Sequence, residues 1–368
     1  MAEKGRVRIG IIGTGFARTV QIPGFRACGE AARVVAIASG RRENAERVAR
    51  EFGIPAVCDS WRDVVAREDV DLVSIVTPPV THLEMTLAAL DAGKAVLCEK
   101  PMAMTAVQAD AMRERARAAG LFAHVDHELR FLPARRKMRE LLKDGAVGRV
   151  RHAKFNFRAG SRSTPARPWD WWSDAGAGGG VLGAIGSHAV DTLRWLVGAE
   201  VAEVSCALAT HVRERPVEGR DELRAVTTDD EANLLLRFAD SELTEGATGT
   251  IALSVVEPGE PEHVVEIFGT RGALRMSRGD RLWRAGSDAR EWQPVEVRRA
   301  DLAPGMHDDE WARGFTALAR EIVRALGEGR YRVEGAADFD DGYQIQRVLD
   351  AARRSHESGC RERVSSES

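Results

Sequence analysis

No apolar run in this sequence approaches the ~20 residues that a membrane-spanning helix needs, and Met1–Arg8 contains no hydrophobic signal core. A cytoplasmic protein is therefore expected. Paired cysteines are missing too. Cys28, Cys58, Cys98, Cys206 and Cys360 are scattered, with no C-x-x-C spacing, which argues for reduced thiols and against a disulfide framework or structural zinc. No metal is expected. Charge of one sign is also lacking: the net charge is −3 with acids and bases interspersed, so neither nucleic acid nor a membrane surface is an expected partner. Lysine is scarce, with only Lys4, Lys94, Lys100, Lys137, Lys143 and Lys154, so a lysine inside a motif stands out. There are no repeats at solenoid periods.

What remains is ordinary globular composition, 44% hydrophobic and 30% charged. At 368 residues the chain exceeds a typical single core of roughly 100–200 residues, so two domains are expected. Residues 7–123 alternate short, β-branched-rich apolar runs (Val7–Ile12, Val34–Ser39, Leu72–Thr77, Ala95–Cys98) with helical patterns (Glu43–Phe52, His82–Ala92, Ala106–Ala119). Runs apolar on both faces suit a parallel sheet covered by helices, a doubly wound α/β fold. Beyond residue 124 the rhythm becomes strand after strand, near 150–157, 201–211, 230–238, 248–256, 264–268 and 273–276, with helices returning at 309–326 and 339–355. The expectation is a Rossmann domain over 1–124 and an α+β domain with a large, open, mainly antiparallel sheet over 125–355. The last helices should pack back toward the first domain, and 356–368 should form a disordered tail.

The first strand runs into Gly13-Thr14-Gly15-Phe16-Ala17. Glycines at a strand-to-helix turn let backbone N–H groups approach a dinucleotide pyrophosphate. The third glycine of the usual pattern is replaced by Arg18, with Ala17 in the close-packing role. At the end of the second strand, where an acid would bind the ribose hydroxyls of NAD, stand Ser39, Arg41 and Arg42. A carboxylate repels a 2′-phosphate, whereas a hydroxyl and guanidinium groups bind it. NADP(H) is thus expected over NAD(H), with the alternative that both arginines belong only to a solvated helix start.

Two further segments carry a resemblance. Thr77-Pro78-Pro79-Val80-Thr81-His82, followed by Ala92-Gly93-Lys94 and Cys98-Glu99-Lys100-Pro101, is similar to the glucose–fructose oxidoreductase/inositol dehydrogenase/MocA (Gfo/Idh/MocA) family, as is Gly178–Asp191 with His188 inside it. The resemblance covers about residues 6–355. It implies a sugar or cyclitol dehydrogenase in which Thr77, Pro78, Pro79 and His82 line the nicotinamide side. Glu99 and Lys100 then sit beside the nicotinamide ribose and reacting carbon, and His188 faces Lys100. It also implies a homodimer or homotetramer assembled through the C-terminal sheet. The chemistry of the residues points the same way. Oxidising a secondary alcohol requires removal of its hydroxyl proton as hydride leaves, and a lysine becomes a competent base near neutral pH when desolvated beside cationic charge. Lys100 follows directly on a buried-type strand, where parallel-sheet sites form.

Other residues keep open readings. His82 either contacts the cofactor or caps the following helix, and His188 is either a proton relay or a buried histidine bonded to backbone. Glu128 lies near the nicotinamide ribose or in an ordinary junction strand. Trp171 and Trp172 stack on a sugar's C–H faces or belong to the core. Arg158 and Asp191 are weaker candidates for substrate contact, Asp191 serving otherwise in packing. The sequence also departs from the family, which often places an acid where this chain has Ala184. Two alternatives to the dehydrogenase follow: a non-catalytic dinucleotide-binding regulator, or an NAD-assisted glycosidase.

Overall fold

A computed structural model describes residues 6–364, and they divide into two units. The first runs to Leu132 and takes in Ala300–Tyr343; the second comprises Pro133–Arg299 and the chain from Gln344 onward. The sequence-based boundary at 124 therefore falls inside the first unit.

In the first unit six parallel strands form one sheet: β1 (Val7–Ile12), β2 (Ala32–Ala38), β3 (Ala56–Val57), β4 (Leu72–Ile75), β5 (Ala95–Cys98) and β6 (Ala123–Val125), in the order β3-β2-β1-β4-β5-β6. β4, β5 and β6 are buried throughout, because helices cover both faces. These helices are α1 (Ile22–Arg26), α2 (Arg42–Phe52), α3 (Trp61–Ala66), α4 (His82–Asp91) and α5 (Ala106–Ala119). Ser60 and Asp63 form a capping box on α3, and Thr105 caps α5, which stops at left-handed Gly120. A distant helix, α8 (Glu310–Gly327), joins the same core through Phe315, Leu318, Ala319, Ile322 and Val323. Phe315 meets Phe25 edge-to-face at 5.3 Å, and Gly24 leaves room for that ring, since a Cβ there would lie 2.6 Å from it.

The second unit is built on a nine-stranded sheet in the order β16-β15-β14-β13-β7-β12-β11-β8-β17. Its strands are β7 (Val150–Arg158), β8 (Val201–Ala209), β11 (Glu231–Phe238), β12 (Thr244–Ser254), β13 (Glu262–Gly269), β14 (Gly272–Ser277), β15 (Arg281–Gly286), β16 (Gln293–Val295) and β17 (Glu362–Arg363), and a separate hairpin pairs β9 (Glu214–Pro216) with β10 (Leu223–Ala225). Every pairing in the large sheet is antiparallel except β7 with β12. β11 buries Ala232, Leu234, Leu236 and Phe238 and exposes Asn233, Leu235 and Arg237, the alternation of a sheet covered on one face. α6 (Pro133–Lys143) and α7 (Ser187–Val197) pack on the covered face.

The last helix, α9 (Phe339–Ser358), leads into β17 rather than a disordered tail. Val364 N–H donates to Ala202 O, and the Ser355 hydroxyl accepts from Cys206 N–H and donates to Cys360 O. Backbone pairing thus orders the chain as far as residue 364, correcting the expected tail; residues 365–368 lie outside the described part. Among the described residues, no helix is long and apolar enough to cross a membrane.

Candidate active site

The strand order reverses between β1 and β4, and the turns after β1, β2, β4, β5 and β6 all leave from the carboxyl edge of the first sheet. That edge is where open parallel sheets bind ligands. Gly13 has φ +107°, and a Cβ there would lie 2.0 Å from Val76 O. No other residue fits the turn. Gly15 borders open space, with nothing within 4 Å of its Cβ direction, as a backbone that must admit a pyrophosphate requires. Phe16 and Ala17 open the helix, and Ala17 is buried. The first turn of that helix is a π turn over Ala17–Gln21, a distortion frequent at functional sites. Here it aims Gln21 into the sheet edge. Arg18, which displaces the third glycine, pairs outward with Glu51 at 2.7 Å. These residues fit a dinucleotide.

At the end of β2, Ser39 and Thr14 hydroxyls stand 3.4 Å apart. Arg42 is held between Glu46 and Asp59, so its guanidinium is already committed along α2. Arg41 is exposed, and only its backbone N–H bonds to Ser39.

The turn after β4 carries Thr77, Pro78 and Pro79, with Thr77 Oγ1 and Thr81 Oγ1 2.7 Å apart. His82 is fully buried, its Nε2 2.8 Å from Thr77 O and its Nδ1 3.1 Å from Pro101 O. It does not cap α4, and Thr81, the residue at the N-cap of that helix, makes no side-chain cap bond either. Instead, the ring ties the β4 turn to the lysine turn. Burial lowers the pKa of His82, so the ring is neutral. The motif residue Lys94 is structural, donating to Arg67 O and Val70 O at 2.7 and 2.9 Å.

Lys100 stands directly after β5, its Nζ 6.0 Å from the centre of the Trp311 ring, a cation–π contact supplied by α8. Beside it stands Glu99, which with Asp126 after β6 and Glu128 in the following turn makes a group of three buried acids. Gln21 Nε2 donates to Glu99 Oε1 at 2.9 Å and to Asp126 Oδ2 at 2.8 Å, and the Lys100 backbone N–H donates to Glu99 Oε2. Burial raises the Glu99 pKa, with the Lys100 charge opposing it. Arg130 forms a buried ion pair with Asp341 at 2.9 Å, a structural role.

In the second unit the glycine run is tightly confined. Gly178 and Gly180 have φ +88° and +102°, and a Cβ on Gly179 would lie 2.3 Å from Trp172 O. Asp229 fastens the run, accepting the Leu182 N–H at 2.6 Å. A second π turn, Leu182–Gly186, then leads into α7, where His188 and, one turn later, Asp191 are both buried. Trp171 is exposed and Trp172 half-buried, their rings 6.2 Å apart, with Arg162 over Trp172. Arg158 does not join this group. Phe155 and Phe157 stack on His263, which Arg135 of α6 also contacts; Arg158, alternating with them, projects from the uncovered sheet face beside Glu257 and Glu262.

Sequence reading alone missed Gln21, Ser74, Asp126, Trp311 and Asp229. Asp126 had a signal: an acid directly after a buried strand, the same placement that marks Lys100.

Residues 7–127 match the model described as "Oxidoreductase family, NAD-binding Rossmann fold", and 135–275 match the GFO/IDH/MocA C-terminal domain. The chain belongs to the GFO/IDH/MocA oxidoreductases. Human glucose-fructose oxidoreductase domain-containing protein 2 is 32% identical over 369 residues, 95% of this chain and 91% of that protein. Levoglucosan dehydrogenase of Pseudarthrobacter phenanthrenivorans is 30% identical over 338 residues, covering 86% and 85%. Among solved structures, an oxidoreductase domain protein from Kribbella flavida superposes with TM-score 0.88 at 29% identity, covering 98% of this chain and all of that one. Levoglucosan dehydrogenase in complex with NADH and levoglucosan gives 0.87 at 26%, with 98% and 100% covered. The protein is therefore an NAD(P)-dependent oxidoreductase acting on CH–OH groups, with sugar dehydrogenases among its relatives.

Proposed function

We propose that this enzyme moves hydride between NADP(H) and a hydroxyl or carbonyl carbon of a sugar, cyclitol or sugar derivative. Lys100 is the proton donor and acceptor, and His188 assists it. The observation that carries this reading is the position of Lys100. It sits on the carboxyl edge of the sheet that forms the Gly13–Ala17 turn, walled by Glu99 and by the Trp311 ring. The nicotinamide supplies the hydride chemistry when bound. In the oxidation direction, Lys100 Nζ takes the substrate hydroxyl proton as hydride departs; in reduction it returns that proton. Glu128 and the Thr77–Pro79 turn line the cofactor side, while Trp171, Trp172 and Asp191 are the candidates for sugar contact.

The preference for NADP(H) rests on the end of β2, where Ser39 and exposed Arg41 stand with no carboxylate. A relative holds NADH, so NAD(H) is the competing cofactor. Assembly as a homodimer or homotetramer through the uncovered sheet face, in the cytoplasm, completes the reading.

The test is a panel of sugars, cyclitols and keto-sugars assayed by nicotinamide absorbance with both cofactors. Turnover of a polyol or keto-sugar is expected, with higher kcat/KM for NADPH than NADH. Lys100→Met should lower kcat/KM by ~10²–10⁴ and retain dinucleotide binding. Arg41→Ala should raise the KM for NADPH about tenfold or more, the worth of one charge-assisted hydrogen bond. No turnover on the panel, or full activity in Lys100→Met, defeats the reading.

A further inference from the structure

Beside Lys100 lies a carboxyl cluster that the hydride and proton transfers leave unused. The Gln21 side chain is fully buried, and its amide is fully engaged. Its Oε1 accepts from the Ser74 hydroxyl at 2.5 Å, and the amide nitrogen, the end that can only donate, faces the two carboxyl acceptors. Both hydrogens on Nε2 therefore point to acids: Glu99 Oε1 at 2.9 Å and Asp126 Oδ2 at 2.8 Å. One nitrogen bridges carboxyl groups from neighbouring strands, and the two carboxyl groups also contact each other. Asp126 Oδ1 is buried and meets no N–H or hydroxyl donor among the described residues. Two carboxylates this close and out of water do not both stay ionised. An acid proton on one, donated to the other, removes that repulsion and leaves a single negative charge.

We propose that Glu99 and Asp126 hold one proton between them, and that this pair sets the charge beside Lys100 and hence its readiness to take the substrate proton. The charged groups facing the pair are the Lys100 ammonium, from the turn after β5, and Glu128, from the turn after β6. Gln21 from the first helix, Ser74 from β4 and the Cys98 thiol of β5 complete the surroundings. Burial, then the Glu99 and Glu128 carboxylates, hold Asp126 well above the usual carboxylate range. Glu99 accepts the Lys100 N–H and lies beside its ammonium, whereas Asp126 Oδ1 meets no donor among the described residues, so the proton belongs on Asp126 and the charge on Glu99. Asp126 acts through Glu99 and Lys100 and is a positioning residue. Its effect on Lys100 rests on the reading under Proposed function; the shared proton does not.

Infrared spectroscopy of the full chain labelled with carboxyl-¹³C aspartate tests the pair without turnover. At neutral pH a protonated-carboxyl stretch should shift with the label and vanish in Asp126→Asn. Glu99→Gln removes the like charge, so the titration midpoint of that band should move to lower pH. Circular dichroism checks folding, and if Asp126→Asn does not fold, the midpoint shift in Glu99→Gln decides alone. No labelled protonated band at neutral pH, or a midpoint that Glu99→Gln leaves in place, overturns the shared proton. For the link to Lys100, Glu99→Gln should move the acid limb of the kcat/KM profile for alcohol oxidation down by about one unit, a tenfold change in proton affinity. An unmoved limb in an active variant overturns that link. A wild-type enzyme inert on the whole panel defeats the functional reading, and the infrared bands then still decide whether the proton is shared.

Discussion

Replacing His82 with leucine should damage the lysine turn without touching the lysine. The neutral ring carries one N–H between two carbonyl oxygens, Thr77 O at 2.8 Å and Pro101 O at 3.1 Å. Leucine fills much of the same space but offers no donor, so one more carbonyl at this buried site loses its partner. That loss is worth about 1–3 kcal/mol, and it falls between the β4 turn and the residue next to Lys100. A displacement of the lysine by about 1 Å is enough to lower turnover ~10²-fold. We expect urea unfolding to report destabilisation of that size. The kcat on the best panel substrate should fall about 10–100-fold, with the fold intact by circular dichroism. A His82→Leu protein with wild-type kcat and unchanged unfolding midpoint would refute the clamp.

Gly13→Ala forces a left-handed φ on alanine and drives its Cβ into Val76 O; dinucleotide binding by calorimetry should be lost or weakened by at least about tenfold, consistent with strain of about 1–3 kcal/mol. Phe315→Ala removes the partner of Phe25 from a fully buried site and should destabilise the first unit by about 3–5 kcal/mol, read from the denaturant midpoint. His124 gives a pH signature. Its Nδ1 faces Ala337 O at 3.0 Å and its Nε2 accepts from Val333 N–H at 3.4 Å, and burial lowers its pKa. As pH falls below the unfolded value of about 6.5, the unfolded chain gains a proton that the folded state refuses. The stability it contributes is therefore present above that pH and lost below it, by up to about 1.4 kcal/mol per unit. The stability advantage of wild type over His124→Gln should shrink across that window; a constant difference would show that the ring does not titrate differently on folding.

Much of this protein was legible in its sequence because the signals were local. Strands buried on both faces must be apolar along their whole length, so β1, β2, β4 and β5 stood out, and Gly13 and Lys100 followed from their places after such strands. The second sheet showed itself through alternation, since one of its faces is uncovered. What escaped was non-local. Nothing near Gln21 indicates a π turn that aims an amide at two acids, and Trp311 reaches Lys100 from a helix some two hundred positions away in the chain. Arg42 and Arg158 looked available as ligands until packing placed carboxylates beside them. The sequence by itself determined the doubly wound sheet and its glycine turn and singled out Lys100 as a candidate, since periodicity and backbone geometry act over a few residues. Only the tertiary structure decided which charged groups share a site, because burial and proximity, rather than residue type, settle which carboxyl groups stay ionised.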